Sequence, residues 1–196
     1  MFKQVSIAAI ALGASLTMSA NAGTIPYPDK GTIPPAHSFT ATTDGSLTAY
    51  FYDEWASLDS WLNVWINGDQ FLGGYKLKSS TSEYGDYVDF GPVSAGDTLV
   101  FELKVEGATK DWNWYSDPSK NGGLNYVYTT DFAGDAPIPA GTYISFEDLP
   151  NLGDVDFNDY QFVVSNVTAH TVPEPFSLVL FGLGIAALGF ARKRAV

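Results

Sequence analysis

Residues 98–105 read TLVFELKV, and their period of two constrains the fold more than any other stretch. Leu99, Phe101, Leu103 and Val105 fall on one side, and Thr98, Glu102 and Lys104 on the other, as the alternating faces of a strand require. Ala95-Gly96-Asp97 before the run is a tight turn. Similar short runs, separated by Gly, Asp and Asn clusters, predict strands at Ser38–Thr42, Leu47–Tyr52, Trp61–Ile66, Gly85–Phe90, Asn125–Thr130, Tyr143–Glu147 and Gln161–Thr168. No long amphipathic helical period occurs in 37–171. The expected fold over 37–171 is all-β: one antiparallel β-sandwich, jelly-roll-like rather than a small barrel. Residues 23–36, GTIPYPDKGTIPPA, hold four prolines and read as an extended leader or linker.

The two ends obey different rules. Residues 1–22 have the parts of a secretory signal helix: a positive start at Lys3, a short apolar segment over 5–16, and a small-x-small cleavage site at Ala20-Asn21-Ala22. Gly23 is then the first mature residue. At the other end, 176–191 run without a charge, and Arg192, Lys193 and Arg194 follow directly. Sixteen helical residues reach about 24 Å, a little short of a hydrocarbon core of about 30 Å, so length alone leaves a span and a buried helix both open. The flanks decide for a single transmembrane helix. A basic cluster at the extreme end holds such a segment with its tail in the cytoplasm, and a core helix has no use for it. Pro173 and Pro175 break any helix arriving from upstream.

Val172-Pro173-Glu174-Pro175, the apolar segment and the basic tail together closely resemble the PEP-CTERM sorting signal of Gram-negative bacteria, over about 25 residues and in the right order. That resemblance implies processing by an exosortase, with Pro173, Glu174 and Pro175 as recognition residues. The span would be a temporary membrane anchor and the destination the cell surface or extracellular matrix, in association with exopolysaccharide and biofilm. It is silent on what the domain does there.

Charge narrows the function classes. Between 23 and 172 there are 21 Asp and Glu (all but Glu174) against six Lys and no Arg, a formal charge of −15. Nucleic-acid binding needs cations for phosphate and is excluded on that ground. Cysteine is absent although an exported chain is free to form disulfides, so the core, or a bound ion, must hold the domain. His37 and His170 lie near the two edges of the mature region, which removes most histidine-based nucleophilic and zinc chemistry. The chain is therefore read as non-catalytic. The enzymatic alternative that survives is a small carboxylate glycoside hydrolase.

The acidity concentrates in 147–162, EDLPNLGDVDFNDYQF, where Glu147, Asp148, Asp154, Asp156, Asn158 and Asp159 fall together and no Lys or Arg occurs between Lys120 and Arg192. A hydrated loop tolerates such crowding, since two like charges about 5 Å apart repel by only about 1 kcal/mol in water. Three features favour an ion instead. Phe146, Leu149, Leu152, Val155, Phe157, Tyr160 and Phe162 interleave the acids and are suited to a core, predicted strands hold both ends of the loop, and Asp154, Asp156 and Asn158 alternate. A hard cation with 6–8 oxygen ligands suits these groups, and outside the cell that cation is Ca²⁺. The pattern is not an EF-hand, because Asp159 stands where that loop needs glycine and Ser165 where it needs glutamate. FEDL followed by GDVDFNDYQFVV, with PVSAGDTLVFEL and WYSDPSKNGGLNYVY upstream, resembles over 90–168 a bacterial surface-domain family of unassigned function found in adhesins and calcium-associated exported proteins. That family's pattern places its acidic positions on the same six residues.

Twenty-five aromatic residues lie between 23 and 172, more than one core requires. In WLNVWI, Leu62, Val64 and Ile66 form one face and Trp61, Asn63 and Trp65 the other; Trp112 and Trp114 alternate with polar residues in what reads as a loop. Tryptophan beside Asp and Asn binds sugar rings, stacking on their C–H faces while the polar groups take the hydroxyls. A carbohydrate-binding module reading polysaccharide through these four residues is the alternative function. Against it stands the plain case in which both faces are covered by protein.

Overall fold

The computed structural model describes residues 25–173. Its strands are β1 (His37–Ala41), β2 (Gly45–Asp53), β3 (Ser60–Ile66), β4 (Asp69–Gln70), β5 (Tyr87–Val93), β6 (Thr98–Val105), β7 (Trp112–Tyr115), β8 (Val127–Phe132), β9 (Gly141–Phe146), β10 (Tyr160–Ser165) and β11 (Val167–Thr171), with no α-helix among the described residues. They form two antiparallel sheets, in the order β11-β1-β6-β3-β4 with β7 also on β6, and β5-β2-β10-β9-β8. The outer pairs nest as in a jelly roll, β1 with β11 in one sheet and β2 with β10 in the other, while β8, β9 and β10 run as a plain meander.

Alternation explains the core. Leu99, Phe101, Leu103 and Val105 of β6 and Leu62 and Val64 of β3 turn inward from the first sheet, meeting Leu47, Ala49 and Phe51 of β2 and Phe162 and Val164 of β10 from the second. The rings of Phe101 and Phe162 meet edge to face across the gap at 5.5 Å. Each buried ring of this kind contributes about 2–3 kcal/mol by leaving water.

Two expectations are corrected. The run Gln161–Thr168, read as one strand, divides at Asn166, whose φ of 63° lets the chain change sheets between β10 and β11. Asn tolerates that left-handed turn, and its side chain clamps the corner by accepting from the Thr43 amide (2.8 Å) and donating to the Thr43 carbonyl (2.9 Å). The loop-like stretch around Trp112 is also a strand: β7 lies on β6 from Glu102 to Val105, beside the site where β1 pairs with Thr98 and Leu99.

Between 25 and 36 the leader carries no strand or helix, turns once at Lys30-Gly31, and is docked. Ile25 is buried in a second cluster with Phe132, Ile138, Tyr143 and Val163 on the outer side of the second sheet. The Tyr27 hydroxyl donates to Gln161 Oε1 at 2.8 Å, and Asn125 Nδ2 donates to the Pro34 carbonyl at 3.0 Å. This path carries Lys30 to the rim of the acid loop.

Candidate metal centre

Phe146 and Tyr160 face each other in the β9–β10 ladder, so residues 147–159 form a loop held at both ends. Its interleaved apolar residues behave as anchors. Leu152 and Phe157 are buried and Val155 packs against the core; only Leu149 stays exposed. Between anchors the backbone turns repeatedly into positive φ, at Asn151 (59°), Leu152 (68°), Gly153 (49°), Val155 (56°) and Phe157 (54°). A β-branched valine there is strained, and burial on either side is what sustains it. Gly153 is required, because a Cβ would sit 3.0 Å from Leu149 Cβ and 3.2 Å from Glu147 Oε2.

Glu147 is 0% exposed. Its Oε1 accepts the amides of Asp156 (2.5 Å) and Phe157 (2.6 Å), while Oε2 is buried with no hydrogen-bond partner. Asp148 is nearly as enclosed. Its carbonyl accepts the indole N–H groups of Trp112 (2.6 Å) and Trp114 (2.8 Å), its amide donates to Asp159 Oδ2 (2.9 Å), and its own Oδ2 is buried and unpartnered. Asp156 Oδ1 completes a set of three such oxygens. Burial pushes the Glu147 carboxyl up to about 7, outweighing the two amides that favour its charged form. Burial and the neighbouring Asp159 charge raise Asp148, and burial raises Asp159.

One counter-charge does reach the loop, from 124 residues away in sequence. Lys30 Nζ pairs with Asp154 and lies 3.3 Å from Asp156 Oδ2, and this pairing holds Asp154 below the usual carboxylate range. The Gly31 amide fixes the approach by donating to the Val155 carbonyl at 2.8 Å. No local signal marks Lys30, because only the path of the docked leader brings it there.

Of the six residues expected to bind an ion, the structure brings three together. Glu147, Asp154 and Asp156 each offer a carboxylate oxygen, all within 4.8 Å of one another. Carboxylate oxygens gathered this closely could hold a metal ion between them. Asp148 and Asp159 engage each other beside it, and Asn158 is engaged through its carbonyl, which accepts from Gln161 Nε2 (2.7 Å). The donors fit a hard cation: all are carboxylate oxygens, and two of the three residues carry an orphaned buried oxygen.

The four tryptophans divide between faces. Trp112 and Trp114 point to the core side of β7 and hold Asp148, and Trp114 stacks on Tyr126 at 4.0 Å. Trp61 and Trp65 lie on the outer face of the first sheet, Trp61 opposite Lys104 and Trp65 against a buried carboxylate, Glu102. That carboxylate, 1% exposed, accepts from Trp65 Nε1 (2.6 Å), Gln70 Nε2 (2.9 Å), the Tyr75 hydroxyl (2.9 Å), Asn113 Nδ2 (2.7 Å) and the Tyr115 hydroxyl (3.2 Å). Lys120 Nζ lies 4.6 Å from the centre of the Trp65 ring, and Lys78 Nζ lies 5.0 Å from that of Trp61. Only the position of Glu102 on the polar side of an alternating strand hinted at this cluster.

Residues 171–194 match the PEP-CTERM protein-sorting motif. The motif implies export, membrane anchoring before processing, and processing by an exosortase. No curated protein and no solved structure matches the chain. Pro173 ends the described residues. The signal segment 1–22 with Ala20 and Ala22, the run 176–191, and Glu174, Pro175, Arg192, Lys193 and Arg194 lie outside them. Among the described residues no helix is long and apolar enough to cross a membrane.

Proposed function

We propose that this exported chain is a non-catalytic surface or matrix protein, a β-sandwich whose acid loop closes on a calcium ion and which works within the exopolysaccharide of a biofilm. The observation that carries the calcium reading is the trio of buried carboxylate oxygens without partners, Glu147 Oε2, Asp148 Oδ2 and Asp156 Oδ1. Leaving such an oxygen bare costs about 1–3 kcal/mol, more when it is charged, and a cation removes that cost. Glu147, Asp156 and Asp154 would hold the ion, which supplies charge neutralisation and ties the two ends of the β9–β10 loop together. The alternating sandwich and the sorting motif support a scaffold that is delivered and then stays. Calorimetric melting of the full chain, with calcium and with chelator, tests the reading: a melting temperature that calcium leaves unchanged rejects it.

A second reading has its own observation. Trp65, Gln70, Tyr75, Asn113 and Tyr115, locked around Glu102, and Trp61 on the same face make an aromatic and polar surface suited to a sugar chain. Affinity electrophoresis through gels containing polysaccharide separates the two, since only the second predicts retardation that Trp61→Ala removes.

A further inference from the structure

The PEP-CTERM match begins at Thr171, the last residue of β11, so the sorting signal starts inside the folded sheet with no spacer before it. Thr171 is in register with His37, and the Val172 amide donates to the Ala36 carbonyl at 2.8 Å. Pro173, the first proline of the motif, then lines a groove of about 810 Å³ together with Val172, Ile33, Pro34, Pro35 and Leu124. Ile33 (52% exposed), Leu124 (38%) and Val172 (43%) are large apolar side chains left open to solvent. Scattered exposed apolar residues need no explanation, whereas these three rim one concavity.

We propose that this groove is a docking surface for the processing exosortase, which engages the end of the domain, up to Pro173, in addition to reading the Pro-Glu-Pro motif. The proposal rests on the sorting-signal reading and adds a folded half to the recognition element. With Thr171 in β11 and Val172 hydrogen-bonded beside β1, the first residues of the match belong to the folded domain. A protein that reaches Pro173 must also meet the groove wall formed by Ile33 and Leu124. In sequence, the apolar run opens at Phe176, so the groove belongs to the end of the domain from which the membrane segment departs. A bilayer is the poorer occupant, because a domain of charge −15 is repelled by anionic lipid. A second copy would bring the same repelling charge.

The test follows C-terminal processing of the full chain by pulse-chase immunoblot in a cell that carries the exosortase. Two alterations are compared with the native chain: the double variant Ile33→Asp, Leu124→Asp, and a short Gly-Ser spacer between Val172 and Pro173. The spacer leaves every residue of the domain intact, so its result does not depend on how the groove tolerates charge. Both should slow processing about ten-fold or more, the loss of roughly 1.4 kcal/mol of docking energy, with an unchanged melting temperature. Processing of both at the native rate overturns the proposal, whether or not membrane retention or self-association changes. Glu174→Ala separates the levels. If it blocks processing while the other two do not, only the docking surface falls; if it too is processed normally, the sorting-signal reading itself fails.

Discussion

Replacing Glu147 by Gln tests whether the buried acid is held for an ion. An ordinary glutamate titrates near 4.5 and Glu147 near 7. At about 1.4 kcal/mol per pH unit, keeping it ionised at pH 8 costs the fold about 3 kcal/mol when no cation is bound. The neutral amide in Glu147→Gln would keep an oxygen for the backbone N–H groups of Asp156 and Phe157 without that cost. In chelator at pH 8, Glu147→Gln should therefore melt higher than the native chain, by about 6–12 °C at roughly 2–4 °C per kcal/mol. Calcium reverses the order of gains. At about 100 times its dissociation constant it stabilises the native chain by about 2.7 kcal/mol, and the variant, short of one ligand, by much less. The pH dependence has a definite sign. Between the unfolded and folded values of the Glu147 carboxyl, the folded state binds the extra proton. In chelator the native chain therefore loses stability as pH rises through that window, and the variant lacks this contribution. Differential scanning calorimetry at pH 5 and pH 8, with calcium and with chelator, reads all four corners. A variant that melts lower than the native chain in chelator, or that responds equally to calcium, refutes the reasoning.

Lys30→Ala removes the ammonium that pairs with Asp154 and Asp156, so calcium should bind several-fold more tightly by isothermal titration; weaker binding would show that the lysine helps to shape the site. Trp114→Phe keeps a ring to stack on Tyr126 but deletes the donor to the Asp148 carbonyl, and should cost about 1–1.5 kcal/mol in urea denaturation. Tryptophan fluorescence should shift on calcium addition in the native chain, and less in that variant. Phe162→Ala, which removes the ring that meets both Phe101 and Phe146, should cost about 3–5 kcal/mol and lower the denaturation midpoint without changing which face β10 buries.

Sequence alone determined the all-β class, nearly all of the longer strands, the inward set of β6 and the sorting motif at 171–194. These are local properties: a period of two, a turn, an apolar run with a basic end, each readable within a dozen or so residues. It also marked the acid loop and its apolar anchors, because both lie within one segment. The corner at Asn166 escaped it, since a single residue in left-handed backbone leaves the alternation on both sides undisturbed. Tertiary structure alone decided which acids converge, that Lys30 crosses from the leader to meet them, that Trp112 and Trp114 face inward, and that five donors close on Glu102. The acids converge through the backbone turns of one loop, and the others by bringing separate segments to within about 3 Å; the distance over which a hydrogen bond or an ion ligand acts leaves no trace in the spacing of residues along the chain.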